Sequence, residues 1–492
     1  MKTHSVKYNF IMNTILKISS FIFPLITFPY VSRILGVELN GKISFATSLV
    51  QYFVMFAQLG IPVYGIRACA KVRDNREELS KTACELLIIN TCMTVLSYAA
   101  LIIAMFTVPK INENRGLMLI SSATLVLSCL GMEWFYQAIE QYDYITVKSI
   151  LFKLLSIGLM FFFVHEPKDY LIYAGISVFG TFGSNVLNFS RIRRYISLKP
   201  VRELYFKRHL KPVLVFFLFA VSTTIYTSLD SVMLGFLSTD HQVGLYAASI
   251  KVRNILFSLV TSIGTVLLPR ASYMVQKKAL GEYREIIRNS FQFVTVLAVP
   301  LTAFFVLEAE NVILLLSGTE YVNAATAMMI ITPTIILTGI SNITGIQILV
   351  PLGHEKYTVI STFGGAVTDL VLNALCIPKY GAAGAAFATL ITEFVVLLIQ
   401  LFYMYKRNLS IYLKVDWKNV IKILAGSIMA GMALLLVRQL IPRGGVFISL
   451  ALSSIVFFGV YVGFMIVSGE FIFRNYGADV IRKVLLKSGR RN

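Results

Sequence analysis

Charge is scarce in this chain. Asp, Glu, Lys and Arg make up 14% of its 492 residues while hydrophobic side chains make up 57%, against about 25% charged in soluble domains. A soluble fold does not fit that balance. Acid is scarcer than base: 25 Asp and Glu stand against 45 Lys and Arg, a net charge of +20. The cations are scattered through short stretches between apolar runs, so they report membrane orientation and contact with anionic lipids, and nucleic acid is not an expected partner. Cysteine is rare and odd in number. Cys69, Cys84, Cys92, Cys129 and Cys376 lie in or beside apolar runs without CxxC or Cys/His spacing, which points to packing and not to disulfides or a metal.

Motifs of catalysis are missing as well. There is no HExxH and no GxSxG, and His4, His165, His209, His241 and His354 are scattered over loops. Gly36 to Lys42 fits GxxxxGK, but Ile43 stands where magnesium needs Ser or Thr, so the segment reads as a turn and not as an ATPase loop. A membrane-embedded glycosyl or phosphoryl transferase would want clustered acids to hold a metal, and Glu133, Glu140 and Asp143 are the candidates. The motifs therefore give no support to an enzyme and call for no cofactor.

Long apolar runs dominate what is present. At about 20 residues per crossing, fourteen helices are expected, near 10–33, 42–66, 83–108, 116–137, 147–165, 170–190, 212–237, 244–268, 290–308, 323–349, 357–377, 382–405, 420–440 and 446–467. Met1 to Phe10 could open a signal peptide, but the run that follows carries Lys17, Pro24 and Pro29 without a small-residue cleavage site, so it is expected to stay as the first helix. Loops 67–81, 191–211, 270–288 and 406–418 hold strings such as KVRDNR and RIRRY, and the alternate loops are nearly bare. Both termini are therefore expected in the cytoplasm.

A weak internal repeat divides the chain. SRILG (Ser32 to Gly36) precedes SVMLG (Ser231 to Gly235) by 199 residues, Gly41 precedes Gly244 and Arg67 precedes Arg270 by 203, and Pro167-Lys168 precedes Pro378-Lys379 by 211. The expected fold is all-α and polytopic, with two pseudo-symmetric six-helix lobes at 1–190 and 212–405 joined by a basic cytoplasmic linker at 191–211. Helices thirteen and fourteen and a basic cytoplasmic tail fill 406–492.

Polar residues inside the apolar runs carry the functional signal, because an ionisable group at mid-membrane costs about 2.5–3.5 kcal/mol on insertion scales and persists where it meets a cavity or a partner. Asn13, Lys17, Ser20 and Pro24 recur at helical spacing in helix one; Lys251, Asn254, Ser258 and Thr261 do so in helix eight. At the repeat offset of 203, Ser48, Gln51 and Gln58 of helix two fall on Lys251, Asn254 and Thr261. Thr223, Thr227 and Asp230 share a face of helix seven. These stripes are expected to line one cationic cavity for an anionic cargo, since phosphate suits Lys and Arg in a partly dehydrated site. Arg253 lies about 200° around the helix from Lys251 and has the weaker claim to that cavity. For each residue singly, snorkelling or a structural pair, such as Lys251 with Asp230, is the competing reading. Lys153, Asp369 and Glu393 lack stripes as long, and structural pairing competes there with ion coupling.

Several segments together resemble a known family. PYVSRILG (Pro29 to Gly36), LGIPVYGIR (Leu59 to Arg67) and AKVRDN (Ala70 to Asn75) resemble its opening region; MEWFYQAIEQYDYITVKSI (Met132 to Ile150) resembles its fourth-helix signature; LDSVMLG (Leu229 to Gly235), GLYAA (Gly244 to Ala248) and YGAAGAAFATLITE (Tyr380 to Glu393) resemble later parts. The family is that of the bacterial oligosaccharide flippases of O-antigen and capsule assembly, in the multidrug/oligosaccharidyl-lipid/polysaccharide exporter superfamily. The resemblance implies a two-lobed helical transporter that moves an undecaprenyl-diphosphate-linked oligosaccharide repeat unit from the inner to the outer leaflet of the bacterial cytoplasmic membrane. For such a cargo the expected mechanism is alternating access, driven by an H+ or Na+ gradient or the membrane potential, with Asp230, Asp369 or Glu393 as candidate proton or sodium sites. The resemblance also implies a repeat-unit polymerase and a chain-length regulator as partners. Relatives that move the peptidoglycan precursor line their cavity with cations on helices one, two, seven and eight, which matches Lys17 and Lys251, while Ser48 and Gln51 without a deep cation in helix two depart from that pattern. A peptidoglycan-precursor flippase, an ion-coupled drug exporter of the same superfamily and a non-transporting scaffold of the polysaccharide machinery are the alternatives.

Overall fold

The computed structural model describes residues 5–197, 204–413, 415–438 and 445–470. The middle of the 191–211 link and the basic tail beyond Glu470 lie outside the described residues. The chain divides into two compact units, Met1–Ala247 and Ala248–Asn492, so residues 212–247, grouped by sequence with the second lobe, pack within the first unit.

In the first unit the helices are α1 (Val6–Gln58), α2 (Ile61–Lys71), α3 (Arg76–Thr107), α4 (Pro109–Asn112), α5 (Arg115–Gly131), α6 (Glu133–Ala138), α7 (Tyr142–Phe163), α8 (Tyr170–Val178), α9 (Asn185–Ile192), α10 (Lys207–Leu237) and the start of α11 (Asp240–Gln276). The second unit holds the rest of α11, then α12 (Leu280–Leu307), α13 (Ala309–Ser317), α14 (Ala324–Ile331), α15 (Thr334–Asn342), α16 (Glu355–Lys406), α17 (Trp417–Val437) and α18 (Val446–Val467). Short π-helical stretches, Phe179–Gly183 and Ile343–Leu349, join α8 to α9 and extend α15.

Twelve helices among the described residues are long and apolar enough to cross a membrane. The difference from fourteen has a local cause. The run 10–33 and most of 42–66 form one helix, α1, of 53 residues, with the end of the second run in α2, and 357–377 and 382–405 form α16, of 52. At 1.5 Å per residue each would extend about 80 Å, more than twice a hydrocarbon core. Each breaks at a glycine in the left-handed region, Gly36 at φ 71° and Gly381 at φ 53°, a conformation that a Cβ would oppose. Pro24, Pro29 and Pro378 are accommodated within these helices.

Around α1 pack α3, α5, α7 and α10. The Met132–Ile150 segment supplies the core of the first unit: Trp134, Phe135 and Tyr136 are buried with Ile61, Leu79, Leu86 and Ile145. Tyr136 donates to the Asn188 carbonyl at 2.6 Å, fixing α6 to α9. At the head of α3 the Asn75 side chain accepts from the Glu77 and Glu78 amides, with both acids in the first turn where the helix dipole favours them. In the second unit α17 and α18 pack on α12 through Ile423, Ala430, Phe457 and Tyr461, and Tyr461 donates to the Val296 carbonyl at 2.9 Å. Phe162, Leu436 and Val467 stand exposed among many apolar neighbours; such a surface is compatible with hydrocarbon and costly in water.

Candidate functional site

Four of the sequence-selected polar residues share α1. Asn13 and Lys17 precede its break at Gly36, and Ser48 and Gln51 follow it. Lys17 and Gln51 are exposed; Asn13 and Ser48 are half-buried. The Gly36–Lys42 segment contributes a helix break and a packing surface. Gly41 lies so close to the Asp240 carbonyl and the Gly244 amide that an added Cβ would overlap both, and Lys42 pairs with Glu38 at 3.1 Å. Asp230 is buried on α10 and accepts from the Tyr246 hydroxyl.

Cations from α7 reach into the same unit. Lys148 is buried, 3.8 Å from Glu133, with Ser184 and Asn185 at 3.4 and 3.5 Å. Lys153, one turn deeper, is also buried and donates to the hydroxyls of Ser19 and Ser20 on α1 at 3.0 and 2.9 Å. Of the other acids near helix four, Glu140 adopts φ 59° and accepts from Arg73 and, at 3.5 Å, from Asn9. That contact raises the Arg73 guanidinium further above its ordinary pKa. Among the described residues no group of three or more His, Cys, Asp or Glu side chains is placed to hold a metal. An apolar crevice of about 610 Å³ between α5, α7 and α8–α9, lined by Leu127, Phe152, Phe179 and Val186, offers room for a hydrocarbon chain and no partner for a sugar.

The fullest polar network was not visible in sequence. Glu85 of α3 is fully buried and accepts from the Tyr205 amide at 2.7 Å, Arg208 Nε at 2.9 Å and His209 Nε2 at 2.7 Å. His209 Nδ1 lies 2.8 Å from the Tyr64 hydroxyl. His209, expected in a loop, is a buried residue in the first turn of α10. The helix begins earlier than the apolar run because Arg208 and His209 find a carboxylate 123 and 124 residues away.

In the second unit Arg253 turns toward α15 and α16. Its guanidinium meets Glu393 Oε1 at 2.9 Å and the hydroxyls of Thr334 and Thr338 at 3.2 Å each, and it stacks 5.1 Å from the Phe257 ring. Glu393 is fully buried. Asn254 accepts from Arg253 at 3.4 Å and is itself exposed, while Lys251, one turn back on α11, is half-buried. Asp369 is buried on α16 and accepts from Thr392 at 3.3 Å. The acids chosen from sequence thus sit among hydroxyl or guanidinium donors.

Comparison with known proteins adds a family and a fold. A family model described as "Polysaccharide biosynthesis protein" matches residues 6–275. A protein of Escherichia coli (strain K12) named "Putative O-antigen transporter" is 25% identical over 413 residues, covering 82% of this chain and 97% of the relative. One of the same name from Shigella dysenteriae is 24% identical over 80% of this chain and 99% of the relative. Among solved structures, the lipid II flippase MurJ in an inward closed conformation superposes with a TM-score of 0.74 over 94% of this chain and 99% of that one, at 16% identity. The fold is therefore that of a polytopic, all-helical membrane transporter.

Proposed function

Because the chain belongs to the polysaccharide biosynthesis protein family, we propose that it is a flippase that carries a lipid-linked oligosaccharide across the membrane it spans. The cargo is an undecaprenyl-diphosphate-linked repeat unit, taken from the inner to the outer leaflet of the bacterial cytoplasmic membrane by alternating access, with both termini in the cytoplasm. A repeat-unit polymerase and a chain-length regulator act on it afterwards. The observation that supports this reading best is the set of cations kept within apolar helices of a polysaccharide-family chain, since a diphosphate is the part of such a lipid that an ammonium group recognises.

The first unit offers Lys17 with Asn13, Ser48 and Gln51 to the cargo, and the second offers Lys251 with Asn254. Arg253, whose charge Glu393 takes up, holds α11, α15 and α16 together. Asp369 beside Thr392 is the candidate site for a coupling proton or sodium ion, and Asp230 beside Tyr246 the second. Cargo can bias the transport cycle only by binding one state better than the other, so the diphosphate is gripped more tightly as the protein closes around it.

The test is deletion of the gene in its host, with lipid-linked repeat units counted by leaflet after return of wild type or of Lys17→Ala/Lys251→Ala. Repeat units held in the inner leaflet and released by wild type but not by an equally expressed double variant are expected. Normal arrival in the outer leaflet without the gene would sink the flippase reading, and rescue by the double variant would sink the two lysines alone.

A further inference from the structure

Lys153 differs from Lys148 and Arg253 in what surrounds its charge. Lys148 has Glu133 at 3.8 Å and Arg253 has Glu393 at 2.9 Å. Among the described residues no carboxylate lies within ion-pair distance of the Lys153 ammonium, and Glu133 reaches it only through space. Its neighbours are neutral: the hydroxyls of Ser19 and Ser20, and the Phe23 ring at 5.6 Å. Both hydroxyls donate their own protons to the Leu16 carbonyl, at 2.7 and 3.1 Å, which turns their lone pairs toward Lys153. The pair of serines therefore orients the ammonium without discharging it. A buried ammonium in that state is expensive, and an anion arriving from outside would offset the cost.

The opening for that anion lies on α1. Ser19 is buried, but Ser20 is exposed, and it stands three residues, one helical turn, from Lys17 on the face that also carries Asn13. Lys153 thus approaches the polar stripe of α1 from behind, through Ser20, while Lys17 stands on the stripe itself.

We propose that Lys153, positioned by Ser19 and Ser20, is a second cation for the diphosphate of the lipid-linked cargo, forming with Lys17 an anion site contained within the first compact unit. This rests on the flippase reading, because that reading supplies the diphosphate. Two cations on two helices match the two phosphoryl groups in charge, and placing one on α7 makes α1 and α7 share the ligand.

The test uses the purified full chain in nanodiscs, with farnesyl diphosphate as probe, farnesol as its uncharged counterpart and phosphatidylglycerol as the phosphate of an ordinary membrane lipid. Lys153→Gln keeps a hydrogen-bond donor and removes the charge, whereas Lys153→Arg keeps the charge. The expected result is at least a tenfold weaker affinity of Lys153→Gln for farnesyl diphosphate, unchanged farnesol binding and an unchanged melting temperature, with Lys153→Arg within threefold of wild type. Equal affinity of Lys153→Gln and wild type for the diphosphate would overturn the inference and leave the flippase reading standing. Wild type that fails to prefer the diphosphate over farnesol would bring down both. An equal loss for phosphatidylglycerol would mark a membrane-lipid site and overturn the assignment to cargo, and a folded Lys153→Arg as weak as Lys153→Gln would overturn the role of charge. Should Lys153→Gln not fold, Ser20→Ala decides: a loss of about threefold supports the site, and none overturns it.

Discussion

Glu85 and Glu393 are both glutamates without exposed surface, and both meet an arginine, yet they sit in contrasting surroundings. Glu85 is reached by the Tyr205 backbone amide and by a guanidinium and an imidazole from the head of α10, all within the end of the basic 191–211 link. Glu393 lies within α16 and meets Arg253, which also binds two threonines near α15. The first arrangement fastens the end of one helix to the flank of another. The second joins three helices of one unit along their lengths. In both, the energetic stake lies less in the attraction than in the cost of leaving a buried charge behind.

That comparison can be broken in a graded order. Glu85→Ala removes a charged acceptor shared by the Tyr205 amide, Arg208 and the buried His209, while Arg208, partly exposed, keeps Glu78 at 3.8 Å; at about 1.5–3 kcal/mol per bond to a charged group it should cost about 3–5 kcal/mol, read as a large fall in the melting temperature of detergent-solubilised protein. A wild-type melting temperature would refute the fastening. Arg253→Met, which takes the guanidinium away from the buried Glu393, should cost about 3 kcal/mol, while adding Glu393→Leu should recover most of it, since neither half of the pair is then left behind. Failure of the double variant to recover would show that the threonine contacts and not the ion pair matter. Gly41→Ala probes packing without charge: its Cβ would overlap the Asp240 carbonyl, and overpacking of this kind costs about 1–3 kcal/mol. Lys168→Ala is the counterexample. Lys168 and Glu166 form an ion pair at 2.6 Å with both side chains exposed, so water and salt screen it, and the melting temperature should not move.

The site divides in the same way. Stripes on α1 and α11 were legible because helical spacing is a local property: Asn13 with Lys17, and Lys251 with Asn254, share faces by arithmetic alone. Partners were not. Lys153 looked isolated in sequence because its serines lie 133 and 134 residues away. Glu85 and His209 carry no local signal of their pairing, because each stands alone in its own segment. Helix number shows the same limit at short range: the apolar runs on either side of Gly36 and Gly381 were visible, but that the helix would continue up to the glycine and break there depends on φ.

Sequence by itself determined that this chain lives in a membrane, that it is helical throughout, and which faces are polar, because hydrocarbon demands internally bonded backbone and runs of about 20 apolar residues. It also carried the family, in strings such as MEWFYQAIEQYDYITVKSI. Only the tertiary structure decided which charges are paired inside the protein and with which partners. Holding a buried charge needs hydrogen-bond or charged partners within a few ångströms, and here the partners of Glu85, Lys153 and Arg253 come from segments far apart in the chain.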